Sequence, residues 1–191
     1  MKNKRFIYGY TIILLLVLTV ILYRDRLVIF NKQAIFKPNT VEKMPTNFNE
    51  CLASGFPIQE SYPRRCVLNN GQTFSEDIGN ELEKTNLIIV DSPRPNSNVN
   101  NIITISGRAR GTWFFEASFP INLVDSNNQI VASTIAQAKS NWMTEEFVPF
   151  EAKLTIPATS IGQAKLILKK DNPSGNSALD DQLMIPVNIL N

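Results

Sequence analysis

Val148-Pro149-Phe150-Glu151-Ala152-Lys153-Leu154-Thr155-Ile156 alternates strictly: Val148, Phe150, Ala152, Leu154 and Ile156 fall on one face, Glu151, Lys153 and Thr155 on the other. A period of two marks a β-strand with one buried face, because successive side chains of a strand point to opposite sides of its sheet. Working outward, residues 113–124 read the same way. Trp113, Phe115, Ala117, Phe119, Ile121 and Leu123 are expected to face the core, and Phe114, Glu116, Ser118, Pro120 and Asn122 to face outward. Further short apolar runs at 87–90, 102–109, 129–136, 164–169 and 183–190 are separated by turn residues such as Asp125-Ser126-Asn127-Asn128 and Asp171-Asn172-Pro173-Ser174-Gly175. Together these runs predict an all-β fold over 86–191, a seven-stranded immunoglobulin-like β-sandwich. Pro120, Pro149 and Pro186 fall on outward positions, which suits edge strands or bulges.

Upstream the pattern changes. Met1-Lys2-Asn3-Lys4-Arg5 is followed by an uncharged apolar run, 6–23, with Phe6, Tyr8, Tyr10 and Tyr23 at its ends. At helical rise this run spans about 27 Å, close to the hydrocarbon thickness of a bilayer, with aromatic rings where interfaces prefer them. It is followed by Arg24-Asp25-Arg26 and the bulky Leu27-Val28-Ile29-Phe30 rather than a small-residue cleavage site. The reading is an N-terminal transmembrane helix within a 1–26 anchor, then a polar, proline-containing linker over 27–46. Lys and Arg are nearly balanced on the two sides, so the cysteines decide orientation. Cys51 and Cys66 are the only two in the chain, and an even pair behind an export-like start is expected to form a disulfide in an oxidising, extracytoplasmic compartment.

The segment 47–78 holds that pair. Asn70-Gly71 between Val67-Leu68 and Thr73-Phe74 predicts a hairpin with a type I′ turn. Closing a loop of about fifteen residues contributes roughly 3 kcal/mol in the chain-entropy model. The segment, with Cys51, Gly55, Pro57, Tyr62-Pro63-Arg64-Arg65-Cys66 and Asn70-Gly71-Gln72-Thr73-Phe74, resembles one found in exported bacterial proteins of unassigned role. Its second half is similar to the Asp-Gly-x-Thr-Tyr turn of Kazal-type protease inhibitors. That likeness implies an inhibitor-like alternative acting through an exposed loop at Tyr62-Pro63-Arg64.

Composition excludes several chemistries. A net charge of +2 with scattered basic residues lacks the footprint of a nucleic-acid binder, and the chain has no histidine. Ser-His-Asp, Cys-His and His-containing zinc sites are therefore absent, and two cysteines hold neither a Cys₄ zinc nor an iron–sulfur cluster. An envelope carbohydrate-acting enzyme using paired carboxylates would draw on Glu116, Glu145, Glu146, Glu151, Asp180 and Asp181. A calcium site would draw on Asp171, Asn172, Asp180 and Asp181. Exposed acids on strands and loops are ordinarily solubilising, so no catalytic residue, metal or cofactor is assigned. The candidate binding surface is Phe114, Glu116, Trp142 and Met143, with Trp142 free either to be presented or to cap the open end of the sandwich.

Val90-Asp91-Ser92-Pro93, Ser106-Gly107-Arg108-Ala109, Gly111-Thr112-Trp113-Phe114-Phe115-Glu116-Ala117, Asn141-Trp142-Met143-Thr144, Phe150-Glu151-Ala152-Lys153-Leu154 and Asp171-Asn172-Pro173-Ser174-Gly175 resemble, in matching order over about 86–191, the immunoglobulin-like domain of bacterial spore-germination proteins, the GerMN-associated type. The sequence departs at Asn127-Asn128, where the family pattern has a glycine. The resemblance implies a non-catalytic, extracytoplasmic interaction or structural module of the cell envelope. Its partners would be the membrane through residues 6–23 and an envelope protein or polysaccharide, with no nucleic acid.

Overall fold

The computed structural model describes residues 17–19 and 44–190. Val17, Leu18 and Thr19 are helical. The remainder of the expected membrane span at 6–23 and most of the 27–46 linker lie outside the described residues, among which no helix is long and apolar enough to cross a membrane.

The chain from Pro45 onward forms one compact unit. It begins with α1 (Phe48–Ala53), capped by the Asn47 side chain, which accepts from the Glu50 N–H at 2.9 Å. Three short strands follow, β1 (Ile58–Gln59), β2 (Arg65–Val67) and β3 (Thr73–Ser75), in a small antiparallel sheet of that order. Cys51 on α1 is bonded to Cys66 on β2, with Cα atoms 6.1 Å apart. Around this disulfide Phe48 and Leu68 are buried, with Phe56, Ile58 and Phe74 packed against them. So few buried side chains cannot offset the ordering entropy alone, which is why the lobe needs its staple. The β2–β3 hairpin forms as expected, but its turn is not type I′. Only Gly71 has a positive φ, 86°, and the Gly71 N–H donates to the Leu68 carbonyl at 2.9 Å. That is a type I turn closed by a left-handed glycine, the three-residue alternative to a two-residue loop.

After α2 (Glu81–Lys84) come β4 (Ile88–Ser92), β5 (Asn98–Val99), β6 (Ile102–Arg110), a 3₁₀ turn (Gly111–Trp113), β7 (Ser118–Asp125), β8 (Ile130–Ala138), β9 (Phe147–Thr155), β10 (Gly162–Lys169), a second 3₁₀ turn (Ser177–Leu179) and β11 (Gln182–Ile189). The hydrogen-bonded order is β4-β6-β9-β8-β7-β10-β11-β5. The ribbon folds over at β8, which follows β7 along its length but pairs in a ladder with β9 only where Gln137 lies opposite Glu151 and Ala138 opposite Phe150. Two layers result, β4-β6-β9 and β7-β10-β11-β5. Rings from both close the core, Phe119 on β7 meeting Phe150 on β9 edge-on at 4.9 Å. The β9 alternation holds as read, with Val148, Phe150, Ala152 and Leu154 buried and Glu151, Lys153 and Thr155 exposed. The turn between β7 and β8 works without the glycine of the family pattern, because Asn128 adopts φ 61° and the Asp125 carboxylate accepts the N–H groups of Asn127 and Gln129.

One expected strand is wrong at its start. Residues 113–117 do not continue one strand: the chain turns at Gly111–Trp113 and again between Phe115 and Ser118, so β7 begins five residues late. The in-out phase read from Phe119 onward is right, and the phase before it is broken. Trp113 and Phe114 are both buried, while Phe115, expected in the core, is 39% exposed.

Candidate functional site

Arg110 lies opposite Phe147, and Ser118 opposite Gln137, so the β6–β7 and β8–β9 connections emerge at the same end of the sandwich. In the first connection Phe115 and Ser118 exchange two backbone hydrogen bonds of 3.0 Å around Glu116 and Ala117, whose φ angles are 49° and 62°. This is the geometry of a type I′ turn, normally supplied by Asn-Gly because left-handed backbone costs other L-residues roughly 1–2 kcal/mol each. The surroundings impose it. Ala138 N–H donates to the Ala117 carbonyl at 2.8 Å, Asp171 N–H to the Trp113 carbonyl at 3.0 Å, and the Phe114 ring packs edge-on against Phe119 at 5.2 Å. The tip thus holds Phe115 and Glu116 outward on a fixed base.

The second connection, 139–146, is seated against the first. A Cβ at position 111 would lie 1.9 Å from the Thr144 carbonyl oxygen and 2.3 Å from that of Trp142, so only glycine permits the approach. The Thr144 N–H donates to Trp142 O at 2.8 Å, Met143 N–H to Asn141 Oδ1 at 3.1 Å, and Gly111 N–H to Glu146 O at 3.1 Å. Arg110 stacks over Phe147, 4.1 Å from its centroid. Met143 stands 74% exposed on this ordered loop, and Trp142 packs against the core.

Of the four residues expected to form a binding surface, Glu116 and Met143 are exposed at this end and Trp142 is half-buried. Phe114 is corrected: at 4% exposure it is a core ring and presents nothing to a partner. Phe115 takes its place on the surface. Strand periodicity could not find this, because no Gly, Asn or Pro at 114–117 announces the turn.

The disulfide lobe is tied to the sandwich by two polar clusters. Glu81, 4% exposed, accepts from the Tyr62 hydroxyl and from Arg94 at 2.5 and 3.1 Å; Arg94 also donates to the Tyr62 oxygen at 2.7 Å and to the Val90 carbonyl at 2.7 Å. Burial of the hydroxyl, followed by its bond to Glu81, pushes the Tyr62 phenol up to about 12. In the second cluster Arg64 binds Glu76 through Nε and Nη2, at 2.9 and 2.6 Å, and Asn96 adds a bond to Glu76 at 3.1 Å. The Arg64 hydrogen bonds hold the Glu76 carboxyl below its usual range, and Glu76 in turn raises the guanidinium. The Tyr62-Pro63-Arg64 loop therefore has both polar heads engaged on its own chain.

The remaining candidates are dispersed. Glu146 lies 3.6 Å from Arg110 and Glu151 3.8 Å from Lys139, and Asp181 pairs with Lys84 at 2.6 Å. Asp180 accepts from Asn172 at 2.7 Å, within the 172–180 loop. Asp180 and Asp181 share a depression with Lys169 and Lys170, and among the described residues no three His, Cys, Asp or Glu side chains gather as a metal-holding group.

Fold and surface define a class, an immunoglobulin-like β-sandwich with a disulfide-closed lobe on its N-terminal side. The family model for the immunoglobulin-like domain of bacterial spore germination matches residues 87–177, the stretch from β4 through β10. Among solved structures, CopC from Methylosinus trichosporium OB3b is similar at 16% identity and a TM-score of 0.35, over 54% of this chain and 91% of that one, a distant likeness that carries no functional weight. No curated protein matches the chain.

Proposed function

We propose that the chain is a non-catalytic interaction module of the bacterial cell envelope, anchored through residues 6–23 with its sandwich on the extracytoplasmic side. The Cys51–Cys66 disulfide and the family of residues 87–177 support this placement. The observation that carries the interaction role is the Glu116-Ala117 tip. Left-handed backbone at two non-glycine residues is retained where the surroundings over-determine it, and such strain clusters at functional positions. Here it presents Phe115 and Glu116 on the end that also exposes Met143, an apolar and acidic patch suited to an envelope protein with an apolar, basic-rimmed surface.

Replacing Glu116 by Asn and Ala117 by Gly relaxes the turn while removing its acidic side chain. The double variant is expected to melt higher than the parent and to capture less envelope protein from detergent-solubilised membranes. Equal capture by parent and variant would remove the tip as the binding site. For the placement, protease added to wall-stripped cells should shave the folded unit from the membrane, and full protection would reverse the orientation.

A further inference from the structure

We propose that the groove between the disulfide lobe and the sandwich is a binding site for a short glycan. The groove encloses about 400 Å³ at the end of β7 opposite the tip, within the range of small-molecule sites. Its floor is the start of β10 and the end of β11, and its walls are the Asn47–Asn49 stretch, Ser75–Asp77 and the β7–β8 turn.

The chemistry of the lining selects the ligand. Its acids are turned to their own chain: Glu76 is held by Arg64 and Asn96, Asp125 by the N–H groups of Asn127 and Gln129, and Asp77 by the Gly79 N–H at 2.8 Å. The side chains of Asn49, Ser126, Asn128, Gln163 and Lys165 line the groove with no hydrogen-bond or ion-pair partner among the described residues. Amides and hydroxyls both donate and accept, which matches sugar hydroxyls, each of them also donor and acceptor. Lys165 is the only cation lining the groove among the described residues, too few for a phosphate-rich ligand. A peptide added as a strand needs a free sheet edge, yet β10 is paired on both sides here, with β7 and with β11. Pro186, beside Ala164 and Val187, supplies a small apolar surface for the C–H face of a sugar ring. The Arg64–Glu76–Asn96 cluster fixes one wall, so little ordering is required on binding.

The test uses the full chain in detergent, titrated with N,N′-diacetylchitobiose, cellobiose, maltose, inorganic phosphate and an uncharged tetrapeptide, and followed by amide NMR. Asn128→Gly with Gln163→Ala removes two free amides while glycine keeps the left-handed turn at 128. Expected is saturable binding of at least one saccharide, weakened about tenfold in that variant, as two lost hydrogen bonds imply, and unchanged in the Glu116→Asn, Ala117→Gly variant. Binding of none of the saccharides, of phosphate or peptide alone, or saccharide binding indifferent to the groove variant overturns the proposal. Saccharide binding lost only in the tip variant also overturns it, by assigning the glycan to the tip. Failure of envelope-protein capture at the tip leaves this result unaffected, because the two sites share no residue.

Discussion

Two adjacent rings, Phe114 and Phe115, sit on opposite sides of the boundary between core and solvent, and the turn at Glu116-Ala117 is what divides them. Phe114 is buried against Phe119, so truncating it leaves a cavity between two layers that cannot collapse freely. Phe114→Ala is expected to cost about 3–5 kcal/mol and Phe115→Ala about 1 kcal/mol or less, measured by denaturant unfolding. Comparable losses would mean that the Phe115 ring is structural. The inward set Phe119, Ile121 and Leu123 was legible because period two needs no information beyond the strand. Phe114 and Phe115 were not legible, since a left-handed turn written in Glu and Ala carries none of the residue signals that mark turns. Asn128 shows the contrary case, an asparagine at φ 61° whose type already hinted at the conformation.

At the scale of elements, the hairpin and the disulfide were readable from Asn70-Gly71 and the isolated cysteine pair, whereas the clusters that dock this lobe join residues too distant in sequence for any periodicity to pair them, such as Tyr62 with Arg94. Their titration gives the docking a pH dependence at both extremes. Tyr62 has a folded pKa of about 12 against an ordinary 10.0, so its contribution is complete below pH 10 and is lost as pH rises toward 12. Glu76 is shifted the other way. Its contribution is present above the ordinary 4.5 and is lost as pH falls through its depressed folded value. Thermal melts should therefore weaken toward both ends of the pH range. The stability advantage of the parent over Tyr62→Phe should shrink above pH 10, and that over Glu76→Gln should shrink in acid. An advantage constant with pH in either comparison would show that the group does not titrate differently on folding.

Across the whole molecule, residues within 80–97 cover the exposed edges of the sandwich. The Asn80 backbone donates to the Met184 carbonyl at 3.3 Å, its side-chain oxygen accepts from the Met184 N–H at 2.7 Å, and its amide donates to the Gln182 carbonyl at 3.0 Å. One residue thus serves the edge of β11 as a strand would. Further along β11, Asn96 N–H donates to the Pro186 carbonyl and Asn188 N–H to that of Ser97, and on the other layer Arg94 occupies the Val90 carbonyl at the edge of β4. Unpaired edges are templates for association between copies, and proteins cover them for that reason. No local pattern announces contacts between residues about a hundred positions apart, so the sequence showed strands without showing which edges were closed. Asn80→Ala removes both side-chain bonds and is expected to cost about 1–3 kcal/mol. Arg94→Leu leaves Glu81 buried without its cation and should cost about 3–5 kcal/mol. If edge cover is what these residues provide, the combined variant should do more than lose stability. It should self-associate with rising concentration in sedimentation velocity of the detergent-solubilised chain, while Phe114→Ala, itself destabilised but with its edges intact, should not. A combined variant that stays monomeric under conditions where it remains folded would show that these bonds serve stability alone.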